Sequence, residues 1–106
     1  MNIQRALEPC IVERNYPKKD QYDRYQDDFK EERQSVIAIY ELTGGIMVNM
    51  SLLVSDTTHQ GLSPDKDIHK GMRISTYKGM YYVDNADPKG RLNQLALKRI
   101  DGLNER

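Results

Sequence analysis

Between Met72 and Ala86 apolar and polar residues alternate in two short runs, ISTY and MYYV, on either side of Lys78-Gly79. Two β-rich runs joined by a tight glycine-containing turn predict a hairpin, with Gly79 supplying the positive φ that such turns need. After the Asp87-Pro88-Lys89-Gly90 turn, Leu92 to Ile100 continues with a period of two. Leu95 and Leu97 fall on one face, and Ala96 and Lys98 on the other. A three-stranded meander follows.

Upstream, Cys10 to Val12 and Val36 to Tyr40 are rich in β-branched and aromatic residues and read as strands. The segment between them is ambiguous. Tyr22, Tyr25 and Phe29 fall at helical spacing, and DDFKEERQ is rich in helix formers. Ile46, Met47, Met50, Leu53 and Val54 also fit one helical face, opened by Thr43 as an N-cap and preceded by Gly44-Gly45. That stretch is expected to be a short helix or an irregular apolar loop. Tyr16 to Asp20, Gly61 to Lys70 and Asp84 to Gly90 read as loops. The pattern as a whole predicts a mainly β domain: a small antiparallel β-barrel or strongly bent sheet, with a long central loop or short helix.

The length of 106 residues allows one domain. With 38% hydrophobic residues, no Trp and one Phe, a lone subunit closes a small core that assembly would reinforce. Sixteen Lys plus Arg balance sixteen Asp plus Glu. Yet residues 1–34, 35–69 and 70–106 carry net charges of −1, −3 and +4. An acidic middle and a basic C-terminal third can steer head-to-tail or ring packing between copies, or simply form an uneven solvated surface. The single Cys10 rules out an internal disulfide. The opening MNIQRALEPC has no apolar run of signal-peptide length, and Ile46 to Val54 is interrupted by Asn49 and Ser51 and is too short to span a bilayer. A soluble protein with no membrane partner is expected.

Catalytic signals are missing. The only histidines, His59 and His69, lie far in sequence from Cys10, and no GxSxG elbow is present. With Asp56, Asp65 and Asp67 they match no compact metal-ligand spacing. The glycines form no phosphate-binding loop. Asp27-Asp28 and Glu31-Glu32 lie in a solvated charged run. No enzyme activity, cofactor or metal is expected.

The segment HKGMRISTYKGMYYVDNADPKGRLNQLALKRID resembles the closing half of tailed-bacteriophage head-tail joining proteins, the head-closure or stopper family. The matching positions are Gly71, Arg73, Ile74, Gly79, Tyr81, Val83, Asp87, Arg91, Leu95 and Leu97. Upstream, IAIYELTGG and the pair Thr58-His59 are similar to further family motifs, so the likeness runs from Cys10 to Asp101. Two departures are Ile37, where the family has an aromatic, and QGLSPDKDI, which lacks an alternating strand, so an altered strand or loop is expected there.

The resemblance implies strands rather than a helix in the ambiguous region: Cys10 to Tyr16, a turn over Pro17 to Tyr22, and a long broken strand from Arg24 to Tyr40. It also implies a non-enzymatic virion protein. Such a protein forms a homo-oligomeric ring in the neck, with portal and adaptor proteins above and tail proteins below. It encloses packaged DNA without sequence specificity and is made in the host cytoplasm. Under this reading Thr43, Gly44, Gly45, Ile46, Met47, Val48, Asn49 and Met50 are the candidate channel-closing or inter-subunit loop. The alternative expectation is that Ile46 to Val54 is ordinary core packed against the barrel. The alternatives are another neck component, an adaptor or tail terminator, or a small β-barrel that binds nucleic acid through the basic third with Tyr77, Tyr81 and Tyr82 as stacking residues.

Overall fold

The computed structural model describes residues 6–41 and 57–100. Its eight regular elements are all strands: β1 (Glu8–Asn15), β2 (Lys18–Lys19), β3 (Tyr25–Gln26), β4 (Phe29–Glu41), β5 (His59–Ser63), β6 (Arg73–Thr76), β7 (Gly79–Asp87) and β8 (Asn93–Ile100). Six of them close an antiparallel barrel in the order β1-β4-β5-β8-β7-β6, and β6 pairs back onto β1. The small β-barrel expected from the pattern is therefore the fold.

Alternation explains each wall. Cys10 and Val12 of β1, Ile37 of β4, Ile74 of β6, Tyr81 and Val83 of β7, and Leu95 and Leu97 of β8 point inward into one buried cluster. Ile68 and Met72 join it from the connection after β5, sealing one mouth of the barrel. Two buried polar residues tie that connection down. Ser63 Oγ donates to the Val36 carbonyl at 2.7 Å and accepts from the Asp65 amide at 3.0 Å. Asn93 Nδ2 donates to the carbonyls of Asp65 at 3.0 Å and Ile68 at 2.8 Å. These bonds satisfy backbone groups that would otherwise be stranded away from water.

Gly61 of β5 is fixed by a close approach. A Cβ there would lie 2.9 Å from both Ile37 Cδ1 and Leu97 Cδ1, so the two side chains occupy the space that any larger residue would need. The loop expected from Gly61 therefore starts later, because pairing of Gly61 and Ser63 with β8 continues the strand to Ser63.

The helix favoured by local composition does not form. Phe29 begins a 13-residue strand that pairs with β1 on one side and β5 on the other. Helix propensity is worth tenths of a kcal/mol per residue, and long-range pairing overrides it. The strands implied by the family resemblance are present, with the second one broken between Gln26 and Phe29, but the turn implied over Pro17 to Tyr22 is shorter, because Lys18 and Lys19 pair with Gln26 and Tyr25 as β2 and β3.

The hairpin turn sits one residue earlier than expected. Tyr77 and Lys78 form it, and Gly79, at φ 151°, opens β7 opposite Thr76. The positive φ expected of Gly79 is present. A Cβ at Gly79 would also meet the Arg99 guanidinium at 2.7 Å.

Candidate functional site

The strand directions give the barrel two unlike ends. At one end Glu41 pairs with His59, and the chain leaves the wall between them. The candidate loop from Thr43 to Met50, and the choice between gate and core for Ile46 to Val54, lie outside the described residues. The foot of that connection is pinned. The Thr58 amide donates to the Leu97 carbonyl at 2.8 Å, and Thr58 Oγ1 accepts from the Arg99 amide at 2.8 Å. His59 packs edge-on against Tyr81, with ring centroids 5.1 Å apart. Burial holds the His59 imidazole below its ordinary pKa, Glu41 opposes this, and Arg99 adds to it. The Tyr77-Lys78 turn lies at the same end, where Lys78 Nζ reaches Glu8 at 3.4 Å.

At the other end the β1–β4 hairpin outgrows the barrel. β1 makes its last contact with β6 at Glu13, beside a bulge between Val12 and Glu13, and the ribbon beyond projects as an arm. The long axis of the molecule is 51 Å, against 30 and 28 Å for the others. At the root of the arm the Arg73 guanidinium lies over the Phe29 ring, 4.1 Å from its centroid, and Arg73 Nε donates to Glu13 at 2.8 Å.

Asp20 builds the tip. Its Oδ1 accepts from the amides of Tyr22 at 2.8 Å and Arg24 at 2.9 Å, and its Oδ2 accepts from the Arg24 and Gln26 side chains. The backbone hydrogen bond from Arg24 leads the set of contacts that hold this carboxyl below its ordinary pKa. Asp23 turns the chain at φ 65°, a left-handed conformation that Asp tolerates better than most residues.

Every basic residue between 14 and 30 has an acidic partner: Arg14 with Glu32, Lys18 and Lys30 with Asp28, Lys19 with Asp23, and Arg24 with Asp20. The tyrosines are left facing solvent. Tyr16, Tyr22 and Tyr25 are 50%, 67% and 71% exposed. The sequence reading missed this feature, because Tyr22 and Tyr25 were absorbed into a helical spacing.

A groove of about 390 Å³ opens on the outer wall where β1 runs between β4 and β6. Ile11 lies at its centre, flanked by Gln34 and Ser75 in the strand register, with Pro9 and Tyr77 toward the end away from the arm. None of its lining side chains is charged, in a chain of which 30% is charged.

Cys10 lies at the groove floor, and its thiol is pushed up to about 11, first by burial and then by Asp65 and Glu8. It is therefore a protonated, poor nucleophile at neutral pH. No group of three His, Cys, Asp or Glu side chains is placed to hold a metal ion among the described residues. Burial alone would raise the Asp65 carboxyl, but hydrogen bonds from Ser35 and Arg33 outweigh it and hold the group below its ordinary pKa. Asp65 thus acts as a tether between β4 and the barrel cap.

The three tyrosines considered for base stacking do not share a surface. Tyr81 is buried in the core, Tyr77 is exposed at the turn, and neighbouring Tyr82 alternates to the other side of β7 from Tyr81. No helix among the described residues is long and apolar enough to cross a membrane. No family model matches the chain, and none of the curated proteins matches its sequence.

Proposed function

We propose that this protein is a ring-forming structural component of the neck of a tailed bacteriophage, closing the DNA exit channel after packaging and offering the tail a docking surface. The observation that carries the reading is the division of labour between the two barrel ends. The tyrosine arm leaves one end, and the chain leaves the other into residues 42–56, which hold the apolar run from Ile46 to Val54. The residue pattern from Gly71 to Leu97 that resembles head-closure proteins supports it, with Ile74, Tyr81, Val83, Leu95 and Leu97 packed in the core.

In this reading the barrel is a wedge in a ring and closure is steric. Apolar loops converging on the ring axis bury one another, and no catalytic group takes part. Residues Thr43 to Met50 supply the closing segment, portal or adaptor proteins contact one ring face, and tail proteins contact the other.

Deletion of the gene from the genome that encodes it tests this. The expected outcome is heads that package DNA, lose it and remain without tails. Normal tailed particles would overturn the reading. Tails joined to heads whose adaptor ring is missing would move the protein to the adaptor position, and tails of irregular length would move it to the terminator position.

A further inference from the structure

The arm and the groove are matched in chemistry and separated in space. Tyrosine couples an apolar ring to a hydroxyl, and it anchors interfaces for that reason. The groove offers apolar surface at Ile11, Pro9 and Tyr77, with hydroxyl and amide partners at Ser75 and Gln34. A charged partner entering it would lose hydration without finding a counter-charge. The arm does carry charges, but they pair with one another on its own surface, Lys18 and Lys30 with Asp28, Lys19 with Asp23 and Arg24 with Asp20, so they can stay hydrated at the rim while the tyrosine rings enter.

The two surfaces do not meet within one molecule. At about 3.3 Å per residue, the nine residues from Ile11 to Asp20 place the arm tip roughly 30 Å from the groove centre. Pro9 and Tyr77 lie farther still along the wall, at strand ends away from the arm.

We propose that the tyrosine arm of one copy docks into the uncharged outer groove of a second copy, with Tyr22 and Tyr25 as anchors against Ile11, Gln34 and Ser75. The contact rests on the ring-forming reading above and supplies its subunit interface. It joins unlike surfaces, so repetition closes a ring when the rotation per step allows and otherwise extends a filament.

The test uses the full chain in three forms: the natural sequence, the arm variant Tyr22→Ala with Tyr25→Ala, and the groove variant Ser75→Glu. All three changed positions face outward, so the melting temperature should hold. Sedimentation velocity over a concentration series is expected to show assembly of the natural chain, with each variant weakened about tenfold or more. An equimolar mixture of the variants is expected to form a two-chain complex, because one supplies an intact arm and the other an intact groove.

A photo-crosslinker placed at Tyr22 reports weak contacts as well, and it should label Pro9 to Ile11 or Ser75 to Tyr77 of another copy. Labels confined to other surfaces, no label at all, or variants that assemble like the natural chain would overturn the proposal. Failure of the neck reading looks different: arm-to-groove assembly would persist in a protein whose deletion leaves normal tailed particles. Conversely, deletion that strips tails while both variants still support tailing would retain the neck reading and discard this contact.

Discussion

The β1–β4 wall and the arm that β2 and β3 form beyond it follow one another along the chain, yet different forces hold them. Inside the wall, Val12 and Ile37 are buried with Ile74, Val83, Leu95 and Leu97, and each side chain excludes water from the next. Beyond Asn15 the chain passes into the separate two-stranded pair β2 and β3, which has no apolar layer beneath it. Their shape comes from the Asp20 turn, from Asn15 bonding to Asp27 and Asp28, and from paired surface charges. Strand pairing alone thus extends a ribbon, whereas burial decides where it becomes wall. Surface ion pairs contribute little to global stability, so the arm's geometry is held locally and weakly.

Substitutions in the wall should break both regions together. Leu97→Ala is expected to cost about 2 to 5 kcal/mol through the cavity it leaves. Gly61→Val should cost a comparable amount, since its side chain has no room beside Ile37 and Leu97. Chemical denaturation should show one transition at a lower midpoint for each variant, and an unchanged midpoint for Gly61→Val would mean that β5 does not approach Ile37 as described.

Gly79→Val comes next. It forces a β-branched residue into φ 151° against Arg99, at a cost on the order of 1 kcal/mol or more, read from thermal melting.

Acid should act on the wall before it acts on the arm. The folded state keeps the Asp65 carboxyl below its ordinary pKa, so its contribution is present above about pH 4 and is lost as pH falls through the folded value. His59 is likewise held low by burial. The unfolded chain takes up that proton first, and stability declines as pH drops below about 6.5. Asp65→Asn should flatten the lower of these two steps in a pH series of melting temperatures and leave the upper one in place.

The smallest global effect belongs to Asp20→Ala. The melting temperature should shift little, while hydrogen exchange at the Tyr22 and Arg24 amides rises sharply and the amides of β7 and β8 stay protected. Equal loss of protection in both regions would dissolve the contrast between them.

How much of this was legible in the sequence follows the same division. The β6–β7–β8 meander could be read directly, because its pairings are local and Gly79 and Asp87-Pro88 mark its turns to within a residue. The arm could not, since Tyr22, Tyr25 and Phe29 satisfy a helical period and only the pairing of Tyr25 with Lys19 and of Phe29 with Asn15 decides otherwise. The groove has no sequence signature at all. Ile11, Gln34 and Ser75 are brought together by register between three strands distant along the chain. The end of β5 was hidden by Pro64 and the charged residues after it, which mark a loop but not where the strand before it stops.

Closure of the barrel by β1 against β6 carries a kinetic consequence. That seam joins Ile11 to Ser75 and Glu13 to Arg73 across most of the folded chain, so its loop-closure entropy must be met before any reward from pairing arrives. The meander from β6 to β8 and the β1–β4 hairpin are each local enough to form early. Their junction is therefore expected to be the late event, placing refolding in the millisecond-to-second range of barrels rich in distant contacts. Mutational φ-values should be lower at Ile11 and Ser75, whose pairing across the seam comes last, than at Tyr81 and Leu95. Until the seam shuts, β1 and β6 present two unpaired borders to the surroundings, and at high concentration in the cell that interval is when copies of this chain are most exposed to mispairing with one another.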